Sequence, residues 1–331
     1  MMSAYDYDLP ASAIAQTPAE PRDAARLLVA TDGAGAVAHR RVSDLPDLLE
    51  DGDLLVVNET RVLPARLQLQ KPTGGNVEVL LLEPLDEAGT WEALVKPSRR
   101  LATGTVLRAG DDFRVEVGQR LPDGRRAVRL DTSDPLAALA EHGAPPLPPY
   151  IRAPLADPER YQTVYARQPG SVAAPTAGLH LTAGVLERCR ERGVEVAAVD
   201  LSVGLDTFRP VTAERAENHQ IHSERFRVPR QTLDACRRAN RVVAIGTTTV
   251  RALESAAQGT LEGRTSLFIH GDYQFQVVDV LLTNFHLPRS SLLLLLAAFV
   301  GERWRDLYAV ALAEHYRFLS FGDAMLVRRK R

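Results

Sequence analysis

Lysine is nearly missing from this chain. Lys71, Lys96 and Lys330 are the three lysines among 331 residues, and arginine carries the rest of the basic charge. A position that keeps a compact ammonium against such a bias is a candidate for a specific contact. Cysteine is scarce too. Cys189 and Cys236 lie in stretches that read as helical and lack metal-ligand spacing. That excludes a disulfide framework and points to a reducing compartment. The longest apolar run, Leu292–Val300, is less than half of the roughly 20 residues a membrane-spanning helix needs. The first residues lack the basic, apolar, small-residue order of a secretion signal. A cytoplasmic protein with no membrane contact is expected. The formal net charge of −2 leaves no global basic field to advertise nucleic acid. Only local clusters remain: Arg99-Arg100, Arg125-Arg126, Arg237-Arg238 with Arg241, and the tail Arg328–Arg331.

Several motifs are missing as well. There is no phosphate-binding G-x-x-x-x-G-K-[ST] loop, no G-x-G-x-x-G after a first strand and no G-x-S-x-G elbow. These absences disfavour a P-loop nucleotide site, a dinucleotide site, the glycine loop of an ordinary methyltransferase and an α/β-hydrolase nucleophile. Internal repeats and low-complexity segments are also lacking.

What is present is an ordinary globular composition, 45% hydrophobic and 25% charged, long enough for two domains. Pro10, Pro18 and Pro21 keep the first 30 residues extended, before a strand at Ala25–Ala30. Arg22, Asp23 and Arg26 cluster there, as either a surface ion-pair group or an anion clamp. Val37–Arg41 should pair back across an Asp32–Gly35 turn, and Leu45–Leu49 reads as a short helix. Asp53–Asn58 (DLLVVN) reads as a buried strand that delivers Asn58, Glu59, Thr60 and Arg61 at its end, as strands lining an α/β crevice do.

The pattern then changes. Short strands at Ala65–Gln70, Val77–Glu83, Trp91–Val95, Thr105–Leu107, Phe113–Val117 and Arg126–Leu130 alternate with turns at Gly74-Gly75, Asp86–Gly89, Gly104, Gly110 and Asp123-Gly124. No helix intervenes before Pro135–His142, so a small antiparallel barrel or sandwich is expected. Lys96–Arg100 (KPSRR) sits on one of its loops. After the proline-rich strap Gly143–Arg152, helix and strand alternate again. Strands are expected at Glu195–Leu201, Val242–Ile245, Ser266–Ile269 and Val277–Val280. Helices are expected at Ala183–Arg192, Arg230–Ala239, Thr248–Gln258, Ser290–Phe299 and Arg303–Tyr316. The expected fold is therefore α/β: a discontinuous domain of residues 1–62 and 147–331 with a mostly parallel sheet, and an inserted all-β, barrel-like domain of residues 63–146.

The stretch Gly170–Thr182 is too poor in large apolar residues for a core strand and too rich in Gly, Pro and Thr for a helix. Thr176 and His180 offer a hydroxyl and an imidazole beside bare backbone, and Gly178 permits close approach of a ligand. Thr182 should cap the following helix and Gly193 stop it. Polar loops recur after the apolar strands: LSVGLDTFRP from Leu201, HQIHSE from His219, IGTTTVRALES from Ile245 and LTNFHLPR from Leu282. Gly246 followed by Thr247–Thr249 at a helix start can bind a carboxylate or phosphate. His219, His222 and Glu224 have the residue types of a metal set on a helical spacing. No fourth ligand lies nearby, since His286 comes from a distant loop, and no metal is expected.

These loops are specific enough in combination to name a resemblance. LVVNETRVLPARL, GAPPLPPYI, RYQTVYA, VAAPTAGLHLT, GLDTFRPV, HQIHSE, GTTTVRALES, LLTNFHLPRS and YRFLSFGDAML occur in this order from about Tyr5 to Leu326. The chain closely resembles the S-adenosylmethionine:tRNA ribosyltransferase-isomerase family of queuosine biosynthesis. The resemblance implies an α/β domain with an inserted β-barrel. It implies transfer of the ribosyl part of S-adenosylmethionine to 7-aminomethyl-7-deazaguanine at the tRNA wobble position, giving epoxyqueuosine, adenine and methionine. S-adenosylmethionine is then a consumed co-substrate, and no separate cofactor is implied. Against that chemistry, His180, His222 and His286 are candidates for proton transfer, with Glu224 as orienter. Gly246, Thr247, Thr248 and Arg251 are candidates for the methionine carboxylate. Asn58, Glu59 and Arg61 are candidates for adenosine or base recognition, and Thr176, Gly178 and Asn284 for further substrate contacts. Lys96, Arg99 and Arg100 are candidates for the tRNA backbone. A monomer is expected.

The chain departs from the usual LHVGLGTFRP of this family at Ser202 and Asp206, and from the usual Pro-Gly before Tyr273 at Gly271-Asp272. The histidine that Ser202 replaces would have been a further binding or catalytic candidate. Three other readings stay open on sequence grounds: a divergent S-adenosylmethionine-dependent enzyme acting on another base or small acceptor, a non-catalytic tRNA-binding homologue, and an ordinary methyltransferase.

Overall fold

The computed structural model describes residues 1–31, 37–85, 89–99, 101–110, 112–204 and 210–330. The Asp32–Gly35 turn, most of the Asp86–Gly89 turn, Arg100 and Asp206 lie outside the described residues. The chain divides into two compact units. One is Met1–Arg61, Pro148–Gln168 and Ala174–Arg331; the other is Val62–Leu147 with Pro169–Ala173.

The strands of the first half are β1 (Arg26–Ala30), β2 (Ala38–Arg41), β3 (Asp53–Asn58) and β4 (Thr60–Val62), with helix α1 (Leu45–Leu48). Next come β5 (Arg66–Gln70), β6 (Asn76–Pro84), β7 (Thr90–Lys96), β8 (Thr105–Ala109), β9 (Phe113–Arg120), β10 (Arg126–Leu130), helix α2 (Pro135–His142) and β11 (Gly143–Ala144). The remainder holds β12 (Gln168–Ser171), α3 (Ala183–Glu191), β13 (Glu195–Leu201), β14 (Glu224–Arg227), α4 (Arg230–Arg238), β15 (Arg241–Ile245), α5 (Thr247–Ala256), β16 (Glu262–Thr265), β17 (Val280–Asn284), α6 (Ser291–Val300), α7 (Trp304–Ala313) and β18 (Ala324–Arg328). Strands β4 and β12 form a separate two-stranded ribbon.

The larger unit is built on a nine-stranded sheet in the order β16-β14-β13-β3-β15-β17-β18-β1-β2. Its centre is parallel: β13, β3, β15 and β17 run together. Strand β18 runs against β17, and β14 and β16 continue antiparallel beyond β13. The sheet is therefore mixed, parallel where it carries the site. Every residue of β3 is buried, as an uninterrupted apolar run in a two-sided central strand must be. At the amino end of β3, Asp53 is buried and takes both guanidinium nitrogens of Arg241, at 2.8 and 2.6 Å. Thr182 caps α3 by accepting the Val185 N–H at 3.2 Å, and Gly193 stops it at φ +82°.

The second unit closes as a barrel. Strands β5-β6-β7-β10-β9-β8 are antiparallel neighbours, Gln70 on β5 pairs with Arg108 on β8, and β11 adds to β5. Alternate residues along β7 (Trp91, Ala93, Val95) and β9 (Phe113, Val115, Val117) point into its core.

Several expected elements are displaced. Ser266–Ile269 is not a strand; the strand lies just before it, at β16. Three of its four residues are exposed, so this edge strand shows no apolar alternation. Val277–Val280 is not a strand either, and β17 begins at Val280. The cause is Glu254, fully buried on α5, which accepts the N–H groups of Gln276, Val277 and Val278 at 2.9, 3.0 and 3.1 Å. Those donors are held by a side chain rather than by a strand ladder. The histidines of HQIHSE are on irregular chain rather than on a helix, and only Glu224 enters a strand. Arg22 is a strut, donating to the carbonyls of Gln162, Leu179 and Glu159. Arg26 stacks over Tyr316, 3.8 Å from its ring centre.

Candidate active site

A cleft opens at the carboxyl ends of β15 and β17, where open α/β sheets bind ligands. Several segments bring residues to it. Pro175, Thr176 and Ala177 come from the turn before α3, Gly246, Thr247 and Thr248 from the start of α5, and Thr283, Asn284, Phe285 and His286 from the end of β17. Leu319 and Ser320 precede β18. Gly246 has φ +88°, a conformation open to glycine, and lets α5 begin directly after β15. The first N–H groups of a helix have no partner within it, and here the residues of that turn line the cleft. About half of the lining side chains are apolar and the rest are mostly hydroxyls with one amide and one imidazole, a mixture that suits a small polar molecule.

Its polar side chains are held in networks. Asn284 accepts the Thr176 hydroxyl at 3.0 Å; its amide nitrogen reaches His180 Nε2 at 3.0 Å and the Leu319 carbonyl at 3.2 Å. His180 therefore sits behind Asn284, outside the cleft lining, with Nε2 as an acceptor and its ring neutral. Burial, and after it the charges of Arg317 and Arg22, lowers its pKa to about 4. His286 does line the cleft. Its Nε2 lies 3.1 Å from Thr283 Oγ1, its backbone N–H donates to Tyr308, and Tyr7 donates to its carbonyl. Burial lowers its pKa to about 3. At neutral pH both rings are uncharged hydrogen-bonding groups, so neither stores a proton for a departing base.

The remaining sequence candidates divide. Thr176, Gly246, Thr247, Thr248 and Asn284 meet in the cleft with His286. Asn58 does not line it. It is fully buried, holds both backbone groups of Leu201 at 3.0 Å and reaches Thr248 Oγ1 at 3.3 Å. Gly178 is needed for a different reason from the one expected. A Cβ there would stand 2.0 Å from the Tyr165 hydroxyl, so glycine makes room for a tyrosine rather than for a ligand. Arg251 and Glu224, expected in separate roles, form one buried ion pair. Glu224 also accepts the Gly204 N–H at 3.0 Å, and Arg251 donates to the Leu267 carbonyl at 3.2 Å. His222 is exposed, and His219 packs edge-on against Phe268. Arg61 pairs with Glu159 at 2.7 Å, and the Glu59 carbonyl accepts two backbone N–H groups, from Arg167 and Gln168. Ser202 carries a buried hydroxyl with no partner among the described residues. Lys96 ends β7 in the barrel unit, and it and Arg99 are exposed.

Residue-by-residue reading missed Tyr150 and Ser320, whose hydroxyls meet at 2.6 Å in the cleft wall, and Tyr7 and Tyr308, which clamp the His286 backbone. A signal for the first pair existed, since PPYI and FLSFGD are both among the family-like segments.

Comparison with known proteins identifies the family. Residues 2–327 match the family described as queuosine biosynthesis protein. The S-adenosylmethionine:tRNA ribosyltransferase-isomerase of Rubrobacter xylanophilus is 51% identical over 97% of this chain and 96% of its own. The enzyme of the same name from Thermus thermophilus is 52% identical over 98% and 99%. The crystal structure of S-adenosylmethionine tRNA ribosyltransferase from Thermotoga maritima aligns over 98% of this chain and 99% of its own, with a TM-score of 0.56 and 37% identity. With a family match over residues 2–327 and relatives about half identical over nearly their whole length, the chain belongs to the queuosine biosynthesis protein family.

Proposed function

We propose that this chain is an S-adenosylmethionine:tRNA ribosyltransferase-isomerase. It moves the ribosyl part of S-adenosylmethionine onto 7-aminomethyl-7-deazaguanine at the wobble position of tRNA, releasing adenine and methionine and leaving epoxyqueuosine. The observation that carries this reading is where the family-like segments fall. VAAPTAGLHLT, GTTTV, LLTNFHLPRS and FLSFGD are far apart in sequence, yet together they line one cleft. The methionine carboxylate fits the start of α5, where unpartnered N–H groups and the helix dipole favour an anion. The sulfonium acidifies the C5′ hydrogens, so a modest base suffices to open the reaction. His286 is our candidate for that group, since its imidazole lines the cleft. Lys96 and Arg99 in the barrel unit supply phosphate contacts whose strength falls with salt.

The test is incubation with S-adenosylmethionine and tRNA bearing 7-aminomethyl-7-deazaguanine, followed by mass analysis of the tRNA nucleosides and of free bases. Adenine release that depends on tRNA, with epoxyqueuosine in the digest, is expected. S-adenosylhomocysteine as the product, or tRNA binding without adenine release, would overturn the proposal.

A further inference from the structure

The cleft holds two threonines whose hydroxyl directions are fixed from outside, and fixed oppositely. Asn58 accepts at Oδ1 from the N–H groups of Leu201 and Thr60, at 3.0 and 3.2 Å. Its amide nitrogen is thereby turned to the Leu201 carbonyl and to Thr248 Oγ1. The Thr248 oxygen receives that hydrogen bond, and its own hydrogen has no protein acceptor among the described residues. Thr249 next to it differs, donating back to the Ile245 carbonyl at 2.7 Å. Thr248 thus shows the cleft a donor.

Thr176 is set the other way. The amide nitrogen of Asn284 is held by the backbone carbonyls of Leu319 and Asp323, at 3.2 and 3.4 Å, and by His180 Nε2. Its Oδ1 must then face Thr176, and an amide oxygen only accepts. The Thr176 hydrogen is consumed at 3.0 Å, and what remains toward the cleft is lone pairs. One wall of the pocket is a donor next to a helix amino end; another is an acceptor with no donor function left.

We propose that the two threonines form a polarity-matched clamp for an amino-acid zwitterion: Thr248 with the first turn of α5 takes the carboxylate, and Thr176 takes the α-ammonium of the methionine part of S-adenosylmethionine. Asn284 and His180 are positioning residues for Thr176, as Asn58 is for Thr248. The inference rests on the function proposed above and adds which end of the ligand each threonine reads. A hydroxyl replaced by a methyl of the same shape leaves the corresponding ligand charge unpaired, an effect of roughly tenfold to a hundredfold in affinity.

The experiment is a set of dissociation constants for the wild type, Thr176→Val and Thr248→Val, each with S-adenosylmethionine, its deamino analogue and decarboxylated S-adenosylmethionine. Thr176→Val should weaken S-adenosylmethionine and the decarboxylated compound roughly tenfold or more and leave the deamino analogue as in wild type. Thr248→Val should weaken S-adenosylmethionine and the deamino analogue and leave the decarboxylated compound unchanged. Thr176→Ser, which keeps the hydroxyl, should restore discrimination, and melting curves establish that each variant is folded. If either variant weakens all three ligands by the same factor, the clamp is refuted while the enzyme assignment stands. If the folded wild type binds none of the three and releases no adenine, both fall together.

Discussion

Replacing Asn58 by alanine should cost this protein a large part of its stability. The side chain is fully buried and serves three backbone groups: the N–H and carbonyl of Leu201 and the N–H of Thr60. Those groups lie where β3 ends and β13 ends beside it, around side chains with essentially no solvent exposure. Each orphaned buried group costs about 1–3 kcal/mol. Local relaxation recovers some of this, so a total loss of about 3–5 kcal/mol is expected, against the roughly 5–15 kcal/mol typical of a folded domain. Asn58→Asp should be no better, because it keeps the acceptor but turns a carboxylate toward the Leu201 carbonyl. Urea denaturation at constant slope measures the loss directly. A variant within about 0.5 kcal/mol of wild type would refute this reasoning, since that is the range of an ordinary surface substitution. If such a variant also bound S-adenosylmethionine tenfold more weakly, Asn58 would be a ligand contact and not a strut.

Four further outcomes are expected. Gly178→Ala should destabilise by about 1–3 kcal/mol through overpacking against the Tyr165 hydroxyl, and adding Tyr165→Phe should recover part of the loss in melting experiments. Asp53→Ala should cost about 3 kcal/mol by removing the buried partner of Arg241 and the acceptor of the Glu50 N–H, leaving Arg241 only the exposed Glu50 carboxylate, whereas a change below 1 kcal/mol would place that pair with weak surface bridges. His180 and His286 have folded pKa values near 4 and 3, below the unfolded value of 6.5. Between those values the unfolded chain binds more protons, so the stability they confer is complete above about pH 6.5 and falls as pH drops toward 4, at up to ~1.4 kcal/mol per pH unit for each. Denaturation midpoints at pH 5 and pH 7 test this, and His286→Gln should flatten the difference. Finally, Lys96→Ala should weaken tRNA binding and lower the salt slope of log affinity by roughly one ion, which a salt titration reads out.

The sequence announced some of this and hid the rest for identifiable reasons. DLLVVN was legible as a central strand because a strand buried on both faces is apolar between its ends, and EVAAVDL was legible by its apolar run although only Val199 and Leu201 are buried. The barrel strands were legible because one face packs inward and alternates. Edge strand β16 (EGRT) was not, since exposure removes the pattern, and the short β14 (ERFR) was not, since one of its two buried residues is the charged Glu224. Strand β18 (AMLVR) was passed over although its first four residues are buried between β17 and β1. A buried glutamate shifted the start of β17, and no local pattern shows that Glu254 will take three N–H groups some 20 residues away. In the site, residue types pointed to Thr176, Thr248, Asn284 and His286 correctly as neighbours. What spacing could not give was direction: which hydrogen each threonine has already donated, that His180 faces Asn284 rather than the cleft, or that Arg251 meets Glu224. Those follow from contacts between segments 27 to 190 positions apart.

The central claim is that S-adenosylmethionine gives up its ribosyl carbons and not its methyl group. S-adenosylmethionine carrying one label in the ribose and another in the methyl group tests it directly, with tRNA bearing 7-aminomethyl-7-deazaguanine as acceptor. The account predicts ribose label in the tRNA, methyl label in free methionine, and adenine released in equal amount. Methyl label in the tRNA, with the ribose label left on S-adenosylhomocysteine, would contradict it.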